Sequence, residues 1–215
     1  MSLYPNLSVF SGHEAFLRTL TQCGIIQKGH FEYKGKAEDG TRKHGEYYIN
    51  FRLLTTEQEK KLAPFYHQAI EEFFGDKKNL IIVGVAMGSL FLPKVVQLGL
   101  YESKKIEFAY TEKRNGILGL YGEQAEKCRG KHILFIEDIC NNATSSHELV
   151  AEMENKKNEL KIDGFSMLYG VHRGHTFLPE PKGKFYAMSV LNAPSYHVSQ
   201  CPACAKGISL KEYKK

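Results

Sequence analysis

Three runs of nearly unbroken apolar residues constrain the fold of this chain most: LIIVGV at Leu80–Val85, ILFI within HILFIED at His132–Asp138, and FSMLYGV at Phe165–Val171. A strand that faces water on one side alternates apolar and polar residues, so a run that is apolar throughout needs cover on both faces. Helical patterns separate these runs. NLIIVGVAMGSLFLPKVVQLGL reads as a strand, a glycine-bearing turn and a helix with Pro93 in its first turns. IEFAYTEK and HILFIED read as strands, ATSSHELVAEMENKK as a helix capped from its Thr/Ser run, and IDGFSMLYGVHR and KFYAMSVL as the closing strands. The alternation predicts an α/β fold with a mainly parallel central sheet flanked by helices.

The first third reads differently. Apolar residues recur at helical spacing from Glu14 to Thr21, with Gly24 as a stop. GHFEYKG and GEYYINFRLL read as short strands joined by the polar KAEDGTRKH. In TTEQEKKLAPFYHQAIEEFFGD, Thr55 or Thr56 caps a helix that Pro64 kinks or splits. The expected organisation is one domain over residues 1–215, with a small N-terminal hood (roughly 1–55 plus part of the C-terminal tail) on a core of roughly 56–195.

Charge and targeting signals narrow the partners. The formal net charge is +5, spread along the chain rather than blocked, which fits anionic ligands and speaks against nucleic acid. MSLYPNLSVFSGHEAF lacks the basic start and apolar core of a signal peptide. The longest apolar stretch, around Leu80 to Leu92, is broken by Gly84, Gly88 and Ser89 and is too short to span a bilayer. Five cysteines, an odd number, do not read as a disulfide framework. A soluble cytoplasmic protein with neither nucleic acid nor membrane as a partner is the expectation.

In open α/β sheets ligands bind beyond the carboxyl ends of the strands. Two strand ends here carry loops of special composition. In VGVAMGS, Gly84 and Gly88 let the backbone bend and approach a ligand, or serve a tight strand-to-helix turn. After Glu137 and Asp138, CNNATSS offers backbone N–H groups, the hydroxyls of Thr144, Ser145 and Ser146, and the positive end of a helix. That set suits a phosphate monoester, while the two acids suit sugar hydroxyls or a hydrated cation.

ILFIEDICNNATS resembles the phosphoribosyl pyrophosphate (PRPP) signature of type I phosphoribosyltransferases, an apolar strand ending in two acids before a phosphate loop. Other segments are similar, in the same order, to the longer form of the orotate phosphoribosyltransferases. They are IIQKGHFEYKG and RKHGEYYIN in the N-terminal lobe, VGVAMGSLFLP at a pyrophosphate loop, FAYTEKRNG entering a mobile loop, GVHRGH near the base, and APSYHVSQCPACAKGISL as a Cys-x-x-Cys tail. The resemblance implies that Glu137 and Asp138 hold the ribose hydroxyls and that Asn141, Asn142, Ala143, Thr144 and Ser145 wrap the 5-phosphate. It implies that Ala86, Met87, Gly88 and Ser89 take the pyrophosphate with Lys113, and that Arg173 and His44 face the base. Mg²⁺, bound mainly through PRPP, is the implied cofactor, and a homodimer the implied assembly. KRNGILGLYGEQAE is the stretch expected to exclude water.

Three places depart from the family pattern. Asn141, Asn142, Ala143 and Thr144 stand where Thr-Thr-Gly-Gly is usual, Leu120 and Tyr121 replace a basic pair, and His172 replaces an acid. Two readings therefore stand: a transferase of PRPP to orotate or a related acidic pyrimidine, and a PRPP- or nucleotide-binding regulatory protein that keeps the fold without the chemistry. Cys201 and Cys204 form one Cys-x-x-Cys with no second ligand pair nearby in sequence, so no protein-held metal is assigned within one chain. A metal shared across a dimer is the alternative left open there.

Overall fold

The computed structural model describes residues 6–37, 39–76, 78–85, 92, 94–96, 106–174, 178 and 184–212. Its centre is a six-stranded sheet in which every pairing is parallel. The strands are β1 (Leu7–Val9), β4 (Leu80–Gly84), β5 (Glu107–Tyr110), β8 (His132–Cys140), β9 (Gly164–His172) and β10 (Lys184–Val190), in the order β1-β10-β9-β8-β4-β5. The three apolar runs become β4, β8 and β9, adjacent at the middle of the sheet. That position explains their composition, because alternate residues enter two different cores. Leu134, Ile136 and Leu168 join Phe16, Leu20, Leu62 and Tyr66 on the face of α1 (His13–Gln22) and α2 (Thr56–Phe74). Ile133, Phe135 and Met167 join Cys128, Leu149 and Met153 on the face of α3 (Gly122–Cys128) and α4 (Thr144–Leu160).

Helix α2 starts where its sequence signals place it. Thr55 is the N-cap, and its side chain and that of Gln58 bond reciprocally to each other's backbone N–H. Leu62, Ala63, Tyr66, Ala69, Ile70 and Phe74 form its buried stripe. Pro64 does not split the helix, which is one element from Thr56 to Phe74. Among the described residues, no helix is long and apolar enough to cross a membrane.

A second, antiparallel sheet stands beside the first: β2 (Ile26–Lys36), β3 (Arg42–Ile49) and β11 (Ser195–Tyr196), in the order β11-β3-β2. Strand β1 and helix α1 belong with the main sheet, since β1 pairs with β10 and Phe16 and Leu20 enter its core. The second sheet thus consists of the β2–β3 hairpin plus the tail strand β11. The tail is tied down further by His197, whose Nε2 lies 2.8 Å from Asp39 Oδ2 at the hairpin tip.

Gly170 in β9 marks the tightest crossing behind the strand tip. A Cβ there would stand 2.7 Å from the backbone oxygen of Asp138 and 3.0 Å from both Phe51 Cζ and the Tyr66 hydroxyl. Gly170→Ala is expected to cost about 1–3 kcal/mol, because the backbone oxygen cannot rotate away. Chemical denaturation would show it as a lower midpoint at unchanged m-value.

Candidate active site

The site forms where the C-terminal end of β8 meets the β2–β3–β11 sheet. A cleft of ≈ 320 Å³ opens there, lined by Tyr33, Tyr47 and Tyr48 on one wall and by Ile139, Asn141 and Asn142 on the other. Lys36, Lys43 and Arg173 bring three cations to it. Arg173 binds the walls together. Its Nη1 donates to Asn141 Oδ1 at 3.1 Å and its Nη2 to the Tyr33 hydroxyl at 3.0 Å, with the guanidinium 4.9 Å from the Tyr33 ring centroid. The Tyr33 hydroxyl in turn donates to the Tyr47 carbonyl. The β9–β8 ladder fixes the arginine's height, since the Arg173 N–H donates to the Cys140 carbonyl at 3.2 Å.

Alternation along β8 directs its two acids to opposite faces. Glu137 shares the face of Ile133 and Phe135, where Ser145 donates to it. Asp138 shares the face of Leu134 and Ile136, near Arg52 and Tyr66, and its Oδ1 accepts the Ile139 N–H at 2.9 Å. Burial pushes the Glu137 carboxyl up to about 7, against the Ser145 hydrogen bond and with help from the Asp138 charge. Burial also raises Asp138, opposed by the Ile139 N–H and the Arg52 charge. The carboxylates are therefore not a chelating pair on one face.

The Glu137 shift has a sign that stability measurements can read. Its proton is held more tightly in the folded chain (about 7) than at the ordinary 4.5. Folding stability from this group is thus greatest below pH 4.5, falls as pH rises through that window, and levels off above 7. Glu137→Gln keeps an acceptor for Ser145 and removes the charge. Relative to the parent it should gain stability as pH rises, on the order of 1–3 kcal/mol by pH 8. Thermal unfolding across pH 4–8 measures the difference.

The loop after β8 shows why its residue types matter. The N-cap of α4 is Ala143, with no side-chain cap, so the Thr/Ser run lies inside the helix rather than capping it. The first-turn N–H groups of this 17-residue helix therefore face the loop without a capping side chain, an arrangement suited to an anion. Ala143 has φ +53°, in the left-handed region, at the place where the resembling family carries glycine. The backbone demand is present although the glycine is not. Ala143→Gly should stabilise the chain by roughly 0.5–1 kcal/mol, the relieved strain exceeding the added unfolded-state entropy. A small rise in Tm is the readout.

The remaining expected residues are placed as follows. Thr144 and Ser145 form the first turn of α4, beside Asn141 and Asn142. Lys113 lies in β6 (Glu112–Arg114), and its Nζ is 3.8 Å from Glu148 Oε2, one turn along α4 from Thr144. KRNGILGLYGEQAE is no irregular loop here. β6 and β7 (Ile117–Gly119) form a ribbon turned by Asn115 and Gly116, both at positive φ, seated by buried Leu118 and Leu120 and continuing into α3. His44 does not line the cleft. It is buried with Nδ1 2.9 Å from His30 Nε2 and 3.2 Å from Cys204 Sγ, on the face of β3 opposite to Lys43 and Tyr47. Ala86, Met87, Gly88 and Ser89 lie outside the described residues. Sequence reading missed Lys36, Lys43 and Tyr47. A pair of lysines bracketing a polar hairpin tip was the available signal.

No protein-family model matches the chain. It is 23% identical over 199 residues to the orotate phosphoribosyltransferase of Caldicellulosiruptor saccharolyticus, covering 92% of this chain and 94% of that protein. Among solved structures, the orotate phosphoribosyltransferase of Mycobacterium tuberculosis superposes with a TM-score of 0.57 at 10% identity, covering 82% of this chain and 97% of that one. That of Aeropyrum pernix superposes with a TM-score of 0.53 at 21% identity, covering 81% and 93%. The parallel central sheet agrees with these likenesses, which show the type I phosphoribosyltransferase fold, and by sequence the chain resembles orotate phosphoribosyltransferases.

Proposed function

We propose that the chain transfers phosphoribosyl from PRPP to a nitrogenous base, orotate or a related acidic pyrimidine, releasing pyrophosphate. The observation that carries this reading is the cleft itself. Arg173 is fixed between Asn141 and Tyr33, with Lys36 and Lys43 beside it, next to the C-terminal end of β8, which carries two adjacent acids. An anionic base suits the cationic wall, and its ring suits the tyrosines. The open N-terminus of α4 suits the 5-phosphate. Positive charge that builds on the ribose as pyrophosphate leaves is favoured by the nearby carboxylates, and fixed positioning contributes to the rate.

The donor set also fits Mg²⁺ carried by PRPP. Oxygen donors are the kind this ion takes, but Glu137 and Asp138 on opposite faces cannot both ligate it directly, which agrees with binding mainly through the pyrophosphate. When bound, the ion neutralises the leaving group. A homodimer belongs to the same reading, and light scattering of the purified chain tests it.

A second reading, a PRPP- or nucleotide-binding regulatory protein, is favoured by one observation. Asn141, expected at the phosphate, is engaged by Arg173, expected at the base, and Ala143 holds the loop in a conformation that glycine would reach without strain. Pyrophosphate release from PRPP and Mg²⁺ with a panel of bases separates the two. Release dependent on one base supports the transferase and names its acceptor. No release, with PRPP still raising Tm, supports the regulator.

A further inference from the structure

The tail and the hairpin sheet meet at a cluster that the phosphoribosyl reading does not use. His30 from β2, His44 from β3, and Cys201 and Cys204 around α5 (Pro202–Ala205) place one ligand atom each within 4.8 Å of one another. The expectation that the Cys-x-x-Cys lacks a second ligand pair within one chain is thus corrected: two histidines fourteen positions apart on a hairpin supply it. A bulge produces this. Between the Lys28–Tyr47 and Phe31–Gly45 pairs, Gly29 and His30 together oppose Glu46, which re-aims His30. β11 then pairs Tyr196 with His44 and delivers the tail to the same spot.

The distances suit a tetrahedral ion. His30 Nε2 stands 2.9 Å from His44 Nδ1 and 3.5 Å from each cysteine sulfur, and His44 Nδ1 is 3.2 Å from Cys204 Sγ. Zn–N of about 2.0–2.1 Å and Zn–S of about 2.3 Å place tetrahedral ligand atoms about 3.3–3.8 Å apart, so these four pairs need shifts of a few tenths of an ångström, and the remaining pairs, all within 4.8 Å, need shifts on the order of 1 Å at most.

Hydrogen bonding alone does not account for the arrangement. His30 Nδ1 lies 2.6 Å from the Ile208 carbonyl, which can only accept, so Nδ1 carries the proton and Nε2 presents a lone pair. One imidazole lone pair accepts one hydrogen, yet three ligand-type atoms converge on it. A cation satisfies all of them, and the Nδ1–H to carbonyl contact is the outer support that metal-binding histidines usually have. His30, His44 and Cys201 are 3%, 6% and 1% exposed and Cys204 is half-buried, and four protein ligands fill the positions of a tetrahedral ion, leaving none for a substrate. We infer that His30, His44, Cys201 and Cys204 form a closed structural Zn²⁺ site that clamps the C-terminal tail to the hairpin sheet.

The test uses the full chain, purified without metal-affinity resin. Elemental analysis should find one zinc per chain. Protein stripped with chelator and thiol reductant should lose several degrees of Tm and regain them with Zn²⁺. Co²⁺ added to stripped protein should give tetrahedral d–d bands and thiolate-to-metal charge transfer. Cys204→Ser should lose about half of that charge-transfer intensity, one of two thiolates being gone. A Tm indifferent to Zn²⁺, or a Co²⁺ spectrum without thiolate bands, overturns the assignment. Should Cys204→Ser not fold, the Co²⁺ spectrum of the parent still decides. None of these readouts involves PRPP or a base, so the site stands or falls apart from the proposed reaction.

Discussion

Asp138→Asn should lower pyrophosphate release by about 10²–10³-fold or more, the scale at which removal of a fixed charge-stabilising group acts, while leaving the fold intact. The substitution is isosteric, and Asn Oδ1 can still accept the Ile139 N–H that Asp138 accepts at 2.9 Å. Burial raises the pKa of this carboxyl, so its charge costs folding free energy and neutralising it does not penalise folding. What disappears is negative charge at the strand tip, where positive charge on the ribose would develop. Steady-state kinetics with PRPP and the acceptor base, together with Tm, separate the two effects. Undiminished turnover in a folded variant would remove Asp138 from the mechanism and leave Glu137 as the one strand-tip acid to consider.

Arg173→Ala should raise KM for an acidic base by at least about 100-fold, since hydrogen bonds to charged groups contribute about 1.5–3 kcal/mol each and a forked guanidinium makes two. The loss has a structural part as well. Asn141 Oδ1 and the Tyr33 hydroxyl both lose a donor, and Tyr33 loses the cation over its ring. Arg173→Lys distinguishes charge from shape. It keeps a cation but not the fork that spans Asn141 and Tyr33, so it should recover only a minor part of the binding. If the lysine variant matched the parent, Arg173 would be acting as a point charge, and its bridging of the two walls would have no functional weight.

These two predictions rest on features of different origin. Asp138 was legible from the chain alone. An apolar run that ends in two acids before a small, polar loop can be read without a structure, because strand burial and helix-start chemistry are local properties. The same holds for the parallel sheet, since runs apolar at every position need two covered faces wherever they occur. The start of α2 was legible as Thr55 or Thr56, and the structure decided for Thr55 through its reciprocal bonds with Gln58. Arg173 was legible as a candidate only through the resemblance, and its partners were not legible at all. Tyr33 lies 140 positions away, brought to it by the pairing of β9 with β8 and the placement of the hairpin sheet.

Two misreadings have one cause. His44 was expected at the base, and Cys201 and Cys204 were expected to lack ligands within the chain. Sequence spacing measures separation along the backbone, whereas ligation needs atoms within a few ångströms in space. A bulge at Gly29–His30 and two residues of β11 pairing decide where the imidazoles point, and neither leaves a signal in composition or period. The sequence by itself determined the layers of this protein, the adjacent acids of β8 and the presence of a helix behind them, because burial and hydrophobic period act over a few neighbouring residues. Only the tertiary structure decided which cations share the cleft and which four side chains converge beneath the tail, because those depend on pairing between segments separated by more than a hundred residues.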